Sequence, residues 1–458
     1  MTRQIFSVVG LGFGDEGKGT TVDWLARRHP TGLVVRFNGG AQAAHNVVEP
    51  DGRHHTFSQF GSGTLAGVPT HLTSDVVVYP SAMLREAQTL AGKGIPRPMS
   101  LVTVEDRALV TTRFHVAANR LRELARGAGR HGSCGMGVGE TVDLSLSQPI
   151  ASLRVSDVDR RAPAPLRRLL GIQQAVLCEL TNEMYLRLYA ESNDDAAVED
   201  KLDALGNVLT SPVQLDEELE RLTTWRRAVR VVGDDWLTDH LRTTDAATIF
   251  EGAQGVLLDQ YDGFFPHVTR SSTTLAHAER RIMEAQDGGD TGPVTRLGVT
   301  RTYHTRQGAG PMPTEDPARG DLLLSNDHNL GGGEWQGRIR AGALDLTLLR
   351  FAVSEATGTM FEKLDGLVVT HVDKVDPTSM RVAVGYDDKN LVDTLVDRDF
   401  TRDDHERCYL NHADRTAALA RAVPHYETMS LDEVAERIGL PIRLRSCGQT
   451  YLDKEWAE

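Results

Sequence analysis

An apolar, β-branched run, Ile5-Phe6-Ser7-Val8-Val9, is followed by Gly10-Leu11-Gly12-Phe13-Gly14-Asp15-Glu16-Gly17-Lys18-Gly19. A segment of helical spacing, Thr20 to Arg28, comes next. Strand, glycine turn and helix in that order make a junction at which backbone N–H groups converge on phosphate oxygens. The helix N-terminus adds a favourable dipole. Gly12, Gly17 and Lys18 fit the phosphate-loop spacing G-x-x-x-x-G-K-[ST], but Gly19 takes the hydroxyl position. Lys18 would supply a point charge to the phosphates. Asp15 and Glu16 do not suit a loop that only cradles an anion, because a carboxylate repels phosphate unless a divalent metal or a proton transfer requires it. The plain alternative is an ordinary glycine-rich turn between strand and helix.

Similar apolar runs recur at Leu33-Val34-Val35-Arg36-Phe37, Val76-Val77-Val78-Tyr79, Thr248-Ile249-Phe250 and Leu367-Val368-Val369-Thr370. Helical segments separate many of them. The pattern predicts an α/β fold: a large, mainly parallel central sheet with a P-loop-like nucleotide site and helical insertions. Leu166 to Ala190, Ala196 to Leu209 and Leu215 to Val231 read as charge-rich helices. They predict an insertion near 160–240 that forms a solvated layer over the sheet. Arg126 to Glu140 and Leu330 to Gly342 are glycine-rich and read as loops. With no repeat and no low-complexity linker, residues 1–458 read as one domain.

The net charge of −14 disfavours nonspecific binding to nucleic acid, since phosphate repels an acidic surface. No run of 18 or more apolar residues predicts a transmembrane helix, and the first residues lack a signal-peptide pattern. Cys134, Cys178, Cys408 and Cys447 are widely spaced and form no CxxC pair. This argues against a disulfide framework or a zinc site and for a reducing cytoplasm.

Several motifs occur in order along the chain. They are Gly14-Asp15-Glu16-Gly17-Lys18-Gly19; Phe250-Glu251-Gly252-Ala253-Gln254-Gly255 with Leu257-Leu258-Asp259; Pro266-His267-Val268-Thr269-Arg270-Ser271-Ser272-Thr273-Thr274; and Thr305-Arg306-Gln307-Gly308-Ala309-Gly310-Pro311-Met312-Pro313-Thr314-Glu315. Together they resemble the adenylosuccinate synthetase family. The resemblance implies a ligase that uses a nucleoside triphosphate to phosphorylate the 6-oxygen of a purine nucleotide, inosine monophosphate by default. The aspartate amine then displaces that phosphate to give an N6-succinyl adduct. It further implies that Asp15 is the general base for the N1 proton, His45 the general acid, Lys18 a phosphate contact, and Gln254 the residue that orients the base and the aspartate. Nucleotide contacts fall on Gly14, Glu16, Gly17, Gly19, Thr20, Ser133, Cys134, Thr269, Asp373 and Gly448, and amino-acid contacts on Arg338 and Arg340. Mg2+ would be held by Asp15 and the backbone of Ala44, GTP or ATP would donate the phosphoryl group, and the partner would be a second copy in a homodimer.

The chain also departs from the family pattern. Gln42 and Ala44 stand where the family has asparagine and glycine, and Ala44 can still ligate through its carbonyl if its φ is negative. Met136 and Ser147-Gln148-Pro149 stand where the family has arginines, leaving Arg130 and Arg154 as candidate replacements. Glu334 and Trp335 align with threonines that cradle the aspartate carboxylate, and a glutamate there would repel a second carboxylate. His371 replaces the lysine of the guanine-reading T-K-L-D, while Asp373 is kept. These departures leave two alternatives: a paralogue acting on another 6-oxopurine nucleotide such as dGMP or with another amine donor, and a non-catalytic nucleotide-binding homologue. The second predicts loss of the base or the acid, and both Asp15 and His45 are present.

Overall fold

The computed structural model describes residues 3–192, 195–325, 327–328, 333–358, 363–388 and 413–457. Ten strands form one sheet. Its order is Lys454–Trp456, Ile442–Ser446, Gly366–Thr370, Val294–Arg301, Ile5–Gly10, Ala247–Glu251, Thr31–Arg36, Thr70–Leu72, Val102–Glu105 and Arg230–Val232. Every pairing is parallel except the last hairpin, where Lys454–Trp456 runs antiparallel to Ile442–Ser446.

The central strands are buried along their whole length. Apolar residues on alternate positions therefore serve opposite layers. Phe6 and Val8 pack with Val22 and Leu25 of the Lys18–Arg28 helix, while Ile5 and Val9 join the cluster on the other side with Leu33, Val35, Phe250 and Leu348. Val22 and Leu25 are fully buried, and each contributes about 1.5–3 kcal/mol by leaving water.

The helices Pro163–Ala190, Ala196–Thr210 and Pro212–Ala228 confirm the helical reading of this region but not a merely solvated layer. Leu170, Leu177, Leu202, Leu222 and Trp225 are all buried in one cluster with the Pro80–Gly92 and Arg113–Arg126 helices. Charge on the outer faces masked this inner stripe in the sequence. Three boundaries also change. Leu215 to Val231 is not one helix, since Arg230–Val232 pairs as an edge strand. Val76 to Tyr79 forms only isolated bridges, Val77 with Gly40 and Val78 with Val110. Part of Leu330 to Gly342 is strand: Ile339–Asp345 belongs to a second sheet with Tyr303–Gln307, Met380–Tyr386 and Pro424–Met429. Residues 330–332 and Cys408 lie outside the described residues.

The carboxyl ends of six adjacent strands, from Ile442–Ser446 to Thr31–Arg36, lead into the loops that carry the motifs. An open parallel sheet places its ligand crevice at that edge.

Candidate active site

A cleft at this edge is lined by Gly14, Asp15, Gly17, Lys18, Gly19 and Thr20 of the first loop. Ala44, His45 and Gln254 line it too, as do Asp373 and Gly448. The phosphate loop explains its own odd composition. Glu16 is buried beneath it, accepting from the Gly14 N–H at 2.7 Å and pairing with Lys18 Nζ. A Cβ at Gly10 would lie 2.3 Å from Glu16 Oε2, and one at Gly255 would lie 2.3 Å from Glu16 Oε1, so glycine is required at both. Glu16 shapes the loop from below and does not line the cleft.

Asp15 is different. Its backbone is left-handed, with φ 61°, and its carbonyl accepts from Arg301 Nε at 2.5 Å. Loss of solvent pushes its carboxyl up to about 6 against the pull of Arg301, and the Asp327 and Glu16 carboxylates add to the rise. Arg301 Nη1 donates in turn to Asp327 Oδ2 and to Tyr303 Oη, both at 3.0 Å. Asp15, Gln254 and His371 account for three of the four positive-φ residues other than glycine among those described, and all three line the cleft. Strain of this kind gathers where surrounding structure holds a side chain in a working position.

His45 faces the same cleft. Its Nδ1 donates to Glu251 Oε1 at 2.6 Å. Glu251 is fully buried at the end of its strand and also accepts from the Ser62 N–H at 2.9 Å and from Ser62 Oγ. Desolvation opposes its charge, but His45, Arg36 and Ser62 hold the carboxyl down at about 2. Burial pushes the His45 ring down to about 4, with Glu251 pulling the other way. A carboxylate behind an imidazole fixes its tautomer and supports the imidazolium once an anion arrives. Asn38 staples the neighbouring loops, donating to Ala253 O at 3.1 Å and Ser272 O at 3.0 Å while accepting from the Ala253 N–H at 2.8 Å. Gln254 Oε1 and the Gln42 amide are buried with no hydrogen-bond partner among the described residues, and both side chains belong to the cleft lining.

The remaining expected residues stand outside the cleft lining. Ser133 Oγ bonds to Asn119 Oδ1 at 3.2 Å. The half-buried Cys134 thiol is pushed up to about 11 by desolvation. The Thr269 N–H donates to Leu258 O at 2.9 Å. Arg338 is exposed, and Arg340 pairs with Glu315 at 2.7 Å. Arg130 is exposed, and Arg154 donates to Arg107 O at 2.6 Å, so neither stands in the cleft for the missing arginines. The expected clash at Glu334 is overturned. Glu334 is exposed and pairs with Lys201, while Trp335 is buried against Gly135, so the chain presents Gln336 to the cleft instead. Glu251, Arg301 and Asp327 carried no assigned role in the sequence reading. Glu251 had a visible signal, a carboxylate closing an apolar strand, but Arg301 and Asp327 had none.

Mg2+ can be tested against these residues. Asp15 is a desolvated carboxylate crowded by two others, a condition a hard cation relieves. Ala44 lines the same cleft and is not among the positive-φ residues, so its carbonyl remains available in the sense required above. Among the described residues no cluster of three His, Cys, Asp or Glu builds a metal cage. Few protein oxygens beside substrate phosphates is the donor set that suits Mg2+.

A parallel sheet with a phosphate loop, a carboxylate within it and a carboxylate-backed histidine beside it defines a nucleotide-dependent enzyme. A family model described as adenylosuccinate synthetase matches residues 7–450. The adenylosuccinate synthetase of Alkalilimnicola ehrlichii is 34% identical over 392 residues, covering 83% of this chain and 79% of the relative. That of Thioalkalivibrio sulfidiphilus is 34% identical over 387 residues, covering 83% and 80%. The solved adenylosuccinate synthetase of Plasmodium falciparum superposes with a TM-score of 0.72 at 19% identity, covering 99% of both chains. The succinoaminodeoxyadenylate synthetase of cyanophage S-2L, solved with dGMP and dATP, gives 0.57 at 15% identity, covering 100% and 96%. The chain belongs to the adenylosuccinate synthetase family, and it is a C–N bond-forming ligase of the synthetase type.

Proposed function

We propose that the cleft joins aspartate to a 6-oxopurine nucleotide, with inosine monophosphate as acceptor and GTP as phosphoryl donor. Asp15 removes the N1 proton, which makes O6 nucleophilic. O6 attacks the γ-phosphorus and the nucleoside diphosphate leaves. The amine of aspartate then displaces phosphate from C6. A carboxyl near 6 suits this task, since a base works best when its pKa approaches the operating pH. Lys18 and the N–H groups of Gly17 and Gly19 hold the phosphates, and His45, backed by Glu251, donates to the transferring group. Gln254 orients the purine edge, and Asp373 accepts from the guanine N1–H and 2-amino group of the donor. Asp15 and the Ala44 carbonyl would hold Mg2+, which when bound neutralises phosphate charge. Arg338 and Arg340 are proposed for the aspartate carboxylates.

One observation carries the reading: Asp15, Lys18, His45 and Gln254 meet in a single cleft although three separate segments of the chain deliver them. A homodimer, one domain over the whole chain and a reducing cytoplasm complete the proposal. Three free cysteines among the described residues support the last, and no described helix is long and apolar enough to cross a membrane. The test is phosphate release with inosine monophosphate or dGMP, crossed with GTP or ATP, in the presence of aspartate and Mg2+. Turnover is expected to be fastest with inosine monophosphate and GTP. Faster turnover with dGMP would replace the acceptor, and binding without any turnover would overturn the enzyme.

A further inference from the structure

The segment after the family match ends is built against the nucleotide cleft. The match stops at residue 450, and the strand Lys454–Trp456 follows it. Lys454 Nζ donates to two carbonyls of the preceding loop, Gly448 O at 3.0 Å and Thr450 O at 2.7 Å. That loop forms one wall of the cleft through Ser446, Gly448 and Gln449. Burial pulls the Lys454 ammonium down to about 8, and the carboxylates of Asp453, Asp23 and Asp373, the last of which also lines the cleft, oppose that fall. Asp23 is buried within the Lys18–Arg28 helix, which begins at the phosphate loop.

Three further contacts tie the same segment to that helix. Trp456 stacks on Trp24 with ring centroids 5.4 Å apart, Arg27 lies 4.4 Å over the Tyr451 ring, and Thr20 Oγ1 donates to Gln449 O at 3.3 Å. Within the loop, Asp453 Oδ2 accepts from the Thr450 N–H at 2.8 Å and from Thr450 Oγ1 at 2.7 Å. A Cβ at Gly448 would lie 2.6 Å from Asp453 Cγ, so the turn closes tightly on its own anchor. The loop therefore has little freedom of its own, and its position follows from what Lys454 and the stacked tryptophans hold.

We propose that Lys454 is a positioning residue for the phosphoryl donor. By holding the Gly448 and Thr450 carbonyls beside Asp373 and the helix of the phosphate loop, it keeps the base end and the phosphate end of the donor site in register. This rests on the reading of the cleft as a triphosphate site and goes beyond it, since no residue after 450 has a role there. An ammonium meets two carbonyls of one loop at one point. A neutral side chain of similar length removes the shorter bond to each carbonyl, leaving only Ser446 Oγ at 3.3 Å on Gly448 O and the Asp453 N–H at 3.2 Å on Thr450 O. An arginine keeps the charge and can still donate to carbonyl oxygens.

The experiment compares the parent chain with Lys454→Met and Lys454→Arg. A fluorescent GTP analogue and a fluorescent ATP analogue are titrated with Mg2+, and initial rates are measured with each substrate varied in turn. Lys454→Met is expected to weaken donor binding and raise the donor KM by about tenfold or more, the scale for losing hydrogen bonds from a charged group. KM for the purine nucleotide and for aspartate should stay within about twofold, as should kcat, and Lys454→Arg should recover most of the loss. Thermal midpoints and tryptophan fluorescence identify a variant that has lost its fold, in which case the Lys454→Arg values decide. Unchanged donor binding in Lys454→Met, an equal rise in all three KM values, or a Lys454→Arg variant as impaired as the methionine would overturn the proposal. A parent chain that binds neither analogue would instead overturn the triphosphate reading itself, and the positioning role with it.

Discussion

His45 Nδ1 lies 2.6 Å from Glu251 Oε1: the fully buried carboxylate stands behind an imidazole that lines the cleft, 206 positions away in the chain. Burial alone would leave the imidazole neutral, and Glu251 is the group that makes an imidazolium tenable once phosphate enters.

Glu251→Gln tests that pair. Loss of the carboxylate lowers the His45 pKa in the loaded enzyme. The basic limb of the kcat profile reports loss of imidazolium as pH rises, so it should move to lower pH. At pH 7.5 kcat should fall by roughly 10²-fold, the usual scale for a positioned acid, with donor KM little changed. An unaltered profile in a folded variant would make the pair structural only.

Asp15→Asn should abolish turnover and stabilise the free protein. The folded Asp15 carboxyl is raised from its ordinary 3.8 to about 6. A raised carboxyl holds its proton longer when folded, so its contribution is favourable below 3.8 and is lost as pH rises through 6. Above that pH the charged form is a penalty of about 1–3 kcal/mol that asparagine removes, and asparagine tolerates the left-handed backbone. Thermal melts without nucleotide or Mg2+ should show a higher midpoint than the parent at pH 7.5 and no gain at pH 3.5. An equal gain at both pH values would assign the effect to something other than charge.

Asp373→Asn should change which triphosphate is used. A carboxylate accepts from both guanine N–H groups, whereas an amide offers one acceptor and one donor, which suits xanthine. Phosphate release should show kcat/KM for GTP falling by about 10²-fold while xanthosine triphosphate gains. A variant that works unchanged with ATP would identify adenine as the natural donor base.

Glu334→Ala should do almost nothing. The side chain is exposed and its ion pair with Lys201 sits at the surface, where such pairs contribute little. Aspartate KM within about twofold of the parent is expected in rate measurements, because the carboxylate does not face the cleft. A large fall in that KM would restore the clash expected from the sequence.

The strand, glycine loop and helix at the N-terminus were legible in the sequence, because apolar spacing and glycine placement act over a few residues. The ordered motifs likewise carried Asp15, Lys18, His45 and Gln254 into one site. Where the sequence reading failed, a contact between distant segments decided the outcome. The helices Pro163–Ala190 and Pro212–Ala228 look charged throughout until Leu170, Leu222 and Trp225 are buried against other helices. Glu334 looked like an obstacle to a carboxylate until Trp335 turned inward against Gly135. Arg301 reads as an ordinary strand residue, yet it holds the Asp15 carbonyl across 286 positions, and Lys454 reads as a C-terminal charge. Local chemistry therefore fixed which side chains are available for the reaction. Only the parallel pairing of strands far apart in the chain decided their neighbours, because hydrogen bonds and burial between distant segments leave no periodicity to read.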